Sequence, residues 1–384
     1  MRIAISLVMD AAKSGAWQVM NNIINVLKKI DKKNEYILYV ENTYNNDLGS
    51  LPNNFYIVRT SINTNLPLLN ILWHTFILPV RIMKDKVDIL HIPSHSLSLL
   101  FKVKPTILTI LDLTEYRLKN HYSKSRMLYR KIMLPISSKL ADKIIAISEY
   151  TEEEIIRIFK IRPQKILVIY NAANSRYKPI DKAQCKEFLR KKYKIDSPFI
   201  LYVGQIQHPN KNIVRLLRAF SKIKSDFRET HKLVLVGKSH PSANIVYQTV
   251  DELHLNKDVF FTGYIPDEDL PYFYNAADLF IYISLFEGFG IPLLEALSCG
   301  TPVIASRSSS LPEVIGQGGI LVNPFNEEEI AASIYEVLSD KHLQKRLQRE
   351  GIKRAKMFSW GKSAAELLGV YEEVYRSCKR NLLK

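Results

Sequence analysis

Twelve short apolar runs recur along the chain, separated by segments with helical spacing. In the first half they cover 3–7, 35–40, 87–92, 106–113, 143–148 and 166–170. In the second half they cover 199–204, 232–237, 259–263, 279–284, 302–306 and 319–323. Several, such as ILYVG, LVLVG and IIAIS, are apolar at successive positions and not only at alternate ones. A strand that is apolar on both faces must be covered on both faces, which is the condition of a parallel sheet. Between the runs, Val19, Ile23, Val26, Leu27 and Ile30 share one helical face, as do Ile213, Leu216, Leu217 and Phe220. Alternating strands and helices with right-handed crossovers give doubly wound sheets. Two such sets predict an α/β protein of two Rossmann-like domains facing a central cleft.

The expected boundaries are 1–178 and 179–358, with a basic helix over 185–193 near the seam. A closing helix over 359–384, capped by Ser359, is expected to pack back on the first domain. Open α/β sheets bind ligands beyond the carboxyl ends of their strands. Functional residues are therefore sought just after the apolar runs.

Composition excludes several classes. Of 384 residues, 47% are hydrophobic and 24% charged, so the chain is not intrinsically disordered. The three cysteines, Cys185, Cys299 and Cys378, form neither a disulfide framework nor a CxxC metal pair, and they fit a reducing compartment. The N-terminus lacks the long apolar core of a signal peptide, and the apolar stretch 66–80 is broken by Pro67, Asn70, His74 and Pro79. The expected location is cytoplasmic, either soluble or peripheral on the cytoplasmic membrane face. The net charge of +16 is uneven. Residues 1–180 carry 26 Lys and Arg against 14 Asp and Glu, whereas residues 181–384 carry 28 against 24. A basic half beside a near-neutral half points to a polyanion: nucleic acid, an anionic membrane or a phosphorylated ligand.

The strongest chemical signal is EGFGIPLLEALSCGTPVIAS, directly after the run 279–284. Glu287 falls in the post-strand loop. Gly288 and Gly290 permit close backbone approach, and Pro292 suits the first turn of a helix. Glu295 follows in that helix, whose start exposes N–H donors. Two carboxylates suit hydroxyl donors better than a phosphate. The plain alternative is a glycine turn with solvated acids. A second signal is LYVGQIQHPNKNIVRLLRAF, where Gly204 ends a strand and Lys211 precedes a helix. Lys211 suits neutralisation of a departing phosphate, although taken alone it reads sooner as an ordinary first-turn surface lysine. Gly15 lies between the first strand and the first helix. Asp112 follows the run ILTIL, and Tyr264 and Ile265 follow Gly263. Ser309 and Ser310 are candidates for phosphate contacts. His91, His95 and His121 are further polar groups near strand ends.

The string from Glu287 to Glu295 resembles the E-x7-E motif of retaining GT-B glycosyltransferases of family 4. The resemblance extends over nearly the whole chain, through NAADLFIYIS, SSLPEVIGQGGILV, FSWGKSAAELLGVYEEV, LHIPSH, ADKIIAISEYTEEEI and KILVIYNAAN. It implies that Glu287 contacts the hydroxyls of the transferred sugar. Phe289, Gly290 and Ile291 would cradle sugar and diphosphate by their backbone. Glu295 would hold the ribose, and Lys211 would face the diphosphate. Gly15, Gly204, Tyr264 and Ile265 would complete the donor site, with Asp112 near the acceptor. Four positions depart from the family pattern, the first being Ala16 in place of a second glycine after Gly15. Gln205 and Asn210 stand where an arginine is usual, and Leu111 replaces the histidine before Asp112. Arg215 is a possible substitute cation.

The resemblance implies a nucleotide-sugar-dependent glycosyltransferase that retains anomeric configuration and needs no cofactor or metal. The segment 72–95 looks like those of mannosyltransferases in surface-polysaccharide assembly, which makes GDP-mannose the first donor choice and a UDP-sugar the next. The alternatives are a nucleotide-sugar 2-epimerase of the same fold and a catalytically degenerate basic binding protein. Residues 116–131 mix Arg117, Lys119, Lys124, Arg126, Arg130 and Lys131 with three tyrosines. That composition suits an anionic membrane or a lipid-diphosphate acceptor. No nucleic-acid motif accompanies the charge.

Overall fold

A computed structural model of the chain describes residues 1–8, 15–42, 44, 48–62, 67–94, 102–117, 124–223 and 231–382. The chain divides into two compact units, Met1–Asn171 with Ser359–Lys384, and Ala172–Phe358.

The first unit is built on a seven-stranded parallel sheet. Its strands are β1 Arg2–Ser6, β2 Glu35–Glu41, β3 Phe55–Thr60, β4 Ile89–Ile92, β5 Thr106–Ile110, β6 Lys143–Ala146 and β7 Ile166–Val168, in the order β3-β2-β1-β4-β5-β6-β7. The second unit has six parallel strands: β8 Phe199–Val203, β9 Lys232–Val236, β10 Val259–Gly263, β11 Leu279–Tyr282, β12 Val303–Ser306 and β13 Ile320–Val322. Their order is β10-β9-β8-β11-β12-β13. In each unit the strand order reverses beside the first strand, at β1/β4 and at β8/β11. Loops leaving two such strands diverge and open a crevice at their carboxyl ends.

All twelve apolar runs form strands. The unanticipated strand is β3, which lies at the edge and pairs with β2 alone. Half its surface faces water, so Tyr56 and Arg59 interrupt the apolar pattern. The seam also differs from the expected 178/179, falling between Asn171 and Ala172. The residues in between are tied to the second unit. The Tyr177 ring meets the edge of Tyr274 at 5.7 Å, the Ile180 N–H donates to Asn275 Oδ1 at 2.8 Å, and Asn275 Nδ2 donates to the Lys178 carbonyl at 3.1 Å.

The closing helix Trp360–Leu382 packs in the first unit, against the helix Gly15–Ile30 and β4. Ser359 Oγ accepts from the Lys362 N–H at 3.1 Å, which caps that helix. His91, fully buried on β4, joins it to the sheet: one ring nitrogen meets Tyr371 Oη at 2.7 Å and the other meets Thr109 Oγ1 at 2.8 Å. Burial pushes the His91 imidazole down to about 3, so it stays neutral and structural. His95 and His121 lie outside the described residues. Among the described residues, no helix is long and apolar enough to cross a membrane.

Candidate functional site

The crevice of the second unit is formed by the loops that leave β8 and β11. The first carries Lys211 and the second carries Glu287. Lys211 Nζ lies 2.6 Å from Glu287 Oε1, and both side chains are largely shielded from solvent. Below them, Tyr282 and Tyr202 stack with ring centroids 6.2 Å apart, and Lys211 Nζ lies 5.7 Å from the Tyr282 ring centre. The Tyr282 hydroxyl also bonds Glu287. Burial holds both phenols well above their usual range, so neither exchanges protons near neutral pH.

Backbone geometry makes this meeting possible. A Cβ on Gly237, at the end of β9, would stand 1.9 Å from the Gly204 carbonyl oxygen. Only glycine lets the two strand ends approach this closely. Gly290 adopts φ +97° at the N-cap of the helix Ile291–Cys299, and a Cβ there would strike Leu311 at 2.6 Å. The loop before that helix is held from two sides. Asn210, which is buried, receives the Phe286 N–H on its Oδ1 and donates from Nδ2 to the Phe286 carbonyl, both at 3.1 Å. Its own carbonyl accepts the Leu285 N–H at 2.8 Å. From the other side, Ser308 Oγ donates to the Leu285 carbonyl, Ser310 Oγ donates to the Glu287 carbonyl, and Ser309 Oγ accepts the Glu287 N–H.

These bonds revise the sequence reading. Ser309 and Ser310, expected to face a phosphate, use their hydroxyls to fix the loop that carries Glu287. Asn210, which stands where the family pattern has a cation, clamps this loop through the Phe286 backbone. Arg215, the possible substitute, donates to Asn212 Oδ1 at 2.9 Å and lies over the Phe325 ring at 5.1 Å. Gln205 is exposed, and its carbonyl accepts from Tyr202 Oη.

Glu295 lies in the second turn of the helix Ile291–Cys299, in a cluster of its own. Tyr274 Oη donates to its Oε2 at 2.8 Å, and Tyr177 adds a second hydrogen bond. Burial pushes the Glu295 carboxyl up to about 7, against the lowering effect of the two tyrosines. The Phe289 side chain belongs to the core, edge-on to Phe358 at 5.8 Å, and Ile265 is buried. Tyr264 is exposed after β10, with Lys238 Nζ 5.0 Å from its ring centre. Lys238, Tyr282, Tyr274 and Tyr177 had no sequence signal of their own, and Asn210 stood out only as a missing arginine. Each follows or ends a motif but earns its place through a partner distant in sequence.

In the first unit, Asp112 Oδ1 accepts the Thr114 N–H at 3.0 Å and starts a short helix. Gly15 opens the helix Gly15–Ile30, and nothing within 4 Å of a Cβ there explains a glycine. The expected basic surface over 116–131 needs correction. Arg130 is buried against Glu115, and Arg117 is bonded by two nitrogens to Glu154, each at 2.6 Å. Two buried carboxylates require fixed cations, so Arg130 is drawn into the interior and Arg117, still exposed, is held against Glu154. Lys131 remains exposed, with Nζ 5.9 Å from the Tyr116 ring centre. Lys119 lies outside the described residues, as do the side chains of Lys124 and Arg126. Among the described residues, no cluster of His, Cys, Asp or Glu has the grouping of a metal site.

Two parallel-sheet Rossmann-like units are the architecture of the GT-B class. The family model for glycosyl transferases group 1 matches residues 186–354, and that for glycosyltransferase family 4 matches residues 14–176. O-antigen chain mannosyltransferase B of Escherichia coli is 33% identical over 271 residues, 71% of each chain. O-antigen chain mannosyltransferase RfbU of Salmonella typhimurium is 26% identical over 84% of this chain and 86% of that protein. Sucrose-phosphate synthase from Thermosynechococcus elongatus shares the fold with a TM-score of 0.79 and 22% identity, over 98% of this chain and 99% of that one. Anabaena HepE, solved in complex with UDP and glucose, aligns with a TM-score of 0.74 and 17% identity, over 97% of this chain and 99% of that one. The chain belongs to the family 4, group 1 glycosyltransferases.

Proposed function

We propose that this enzyme transfers mannose from GDP-mannose, with retention of configuration, to a glycan or lipid-linked acceptor in cell-surface polysaccharide synthesis. The observation that carries the proposal is the Lys211–Glu287 pair at the β8/β11 crevice, in a chain similar to O-antigen mannosyltransferases. A carboxylate there accepts hydrogen bonds from sugar hydroxyls, and an ammonium there meets a diphosphate. Until a donor competes, each partner balances the other's charge. The diphosphate then draws Lys211, and Glu287 turns to the sugar.

In this reading the bond from the anomeric carbon to the leaving phosphate oxygen breaks. A new bond forms on the same face to the acceptor oxygen. The acceptor's proton passes to the departing phosphate oxygen. The protein's share is positioning and charge stabilisation, and Lys211 supplies positive charge without a metal. Glu295 holds the ribose, the backbone over 289–291 cradles the diphosphate, and Tyr264 with Ile265 flanks the base. Gly204 and Gly15 leave room for the donor. Asp112 and the first unit serve the acceptor, and the enzyme works at an anionic membrane face.

The test is a thermal-shift screen with GDP-, UDP-, ADP- and dTDP-sugars, followed by turnover of the stabilising donor. At about 100-fold excess over its Kd the true donor adds about 2.7 kcal/mol. Glu287→Gln is expected to stay folded and to lose turnover. The reading fails if no donor stabilises the protein, or if Glu287→Gln turns over like the parent.

A further inference from the structure

In the first unit the structure exposes large apolar side chains on two helical stretches. Residues 67–84 form one continuous helical stretch, Pro67–Leu72, Trp73–Ile77 and Leu78–Lys84. The middle piece is a π turn, in which the Leu78 N–H reaches back to the Trp73 carbonyl. Pro79 has no N–H to donate in the next turn, so the local ladder is already interrupted there. The inner side of this stretch is core: Trp73, Leu78 and Ile82 are buried, and His74 meets Ser6 Oγ at 3.1 Å. The outer side is also apolar. Phe76 is 59% exposed, Val80 69% and Met83 54%. The extra residue of the π turn brings Ile77 to the surface beside Phe76.

A second helix repeats this pattern. In Lys124–Leu140, Leu128 is 62% exposed and Ile132 53%, one turn apart, while Leu134 is buried. Trp73, Leu78, Ile82 and Leu134 belong to one core cluster, so both helices cover the same face of the seven-stranded sheet. Their outward sides therefore face solvent together. Neither 67–84 nor 124–140 contains an Asp or Glu. Lys84, Lys131 and Lys139 are exposed on or beside these faces. The adjoining Asp85 accepts from Tyr39 Oη at 2.7 Å and faces Arg81 at 3.8 Å.

Large apolar side chains in outward rows, with Lys84, Lys131 and Lys139 exposed on or beside them, match the interface of an anionic bilayer: the apolar groups enter the acyl boundary and the cations meet headgroups. Two copies of this surface would instead press like charges together. We propose that the outward faces of 72–83 and 128–136 form the membrane-docking surface of this enzyme, with anionic lipid as its partner. This deepens the proposed function: of the basic stretch 116–131 the surface keeps Leu128 and Lys131, whereas Arg117 and Arg130 are committed to the carboxylates of Glu154 and Glu115.

The experiment is co-sedimentation of the full chain with phosphatidylcholine vesicles, with and without phosphatidylglycerol. The parent is expected to bind the anionic vesicles and to be released as salt rises. Phe76→Glu/Val80→Glu is expected to lower binding about tenfold or more, since two exposed apolar anchors are lost. Lys84→Gln/Lys131→Gln is expected to weaken binding to the anionic vesicles only. Unchanged melting temperatures and unchanged GDP affinity by calorimetry show that both variants fold. The proposal is overturned if the parent ignores anionic vesicles, or if the Phe76/Val80 variant binds them as the parent does. It is equally overturned if the parent self-associates in light scattering and that variant abolishes only the self-association. A parent that docks on vesicles but binds no nucleotide counts against the proposed function and leaves the docking surface standing.

Discussion

Glu295→Gln isolates the proton held at the candidate ribose contact. The Glu295 carboxyl is pushed up to about 7 by burial, against an ordinary value of 4.5. Between those two values the folded protein holds a proton on Glu295 and the unfolded chain does not. Stability from this group is therefore fully present below about pH 4.5 and is lost as pH rises through 7. Each pH unit in the window is worth about 1.4 kcal/mol. Some solvent reaches the side chain, so the expected loss is on the order of 2 kcal/mol. Glutamine keeps the shape and still accepts from Tyr274, but it cannot ionise. The two proteins should be nearly equal at pH 5, and the variant should be the more stable at pH 8. For a unit of this size, 2 kcal/mol corresponds to roughly 4–8 °C in Tm. The assay is thermal unfolding of both proteins from pH 5 to pH 8, read as the difference between them, in which all other titrations cancel. Parallel curves would refute the argument.

Two further outcomes follow from other parts of the second unit. Asp278 accepts from Lys182 at 2.6 Å and faces His231 at 3.4 Å. Burial alone would raise its carboxyl, but these partners hold it well below the usual range. Asp278→Ala is expected to cost about 3 kcal/mol at pH 7 in a denaturant titration, with the difference shrinking as pH falls below about 4. Gly237→Ala forces a Cβ against the Gly204 carbonyl, so the ends of β8 and β9 must part. Nucleotide affinity by calorimetry is expected to fall at least tenfold, beyond any loss of Tm.

The strands were legible because a parallel strand buried on both faces has little choice but to be apolar throughout. β3 was not, because an edge strand needs only one apolar face. Within the site, Glu287 and Lys211 were legible from their motifs, and the structure pairs them. Asn210, Tyr282 and Tyr274 were not, because what they do depends on partners that only folding supplies. Asn210 meets Phe286 across 76 positions in the chain. The charge of the first unit misled for the same reason. Composition counts Arg117 and Arg130 as surface cations, but only the fold reveals the buried carboxylates of Glu154 and Glu115 that claim them.

Asn210 offers the sharpest test of how this chain departs from its family's pattern. If the position were simply a lost cation, Asn210→Arg would restore charge beside Lys211 and tighten diphosphate binding. The structure argues otherwise. The Asn210 side chain is turned inward, with both of its polar atoms bonded to the Phe286 backbone. An arginine cannot accept the Phe286 N–H, and its guanidinium would have to leave the buried pocket or go uncompensated within it. Losing the clamp is expected to cost about 1–3 kcal/mol and to loosen the loop that carries Glu287. Asn210→Arg should therefore bind GDP more weakly than the parent and unfold at lower denaturant. Tighter GDP binding at unchanged stability would mean that the loop is held by the serines of 308–310 alone, and that the asparagine is a true vacancy in the cation set.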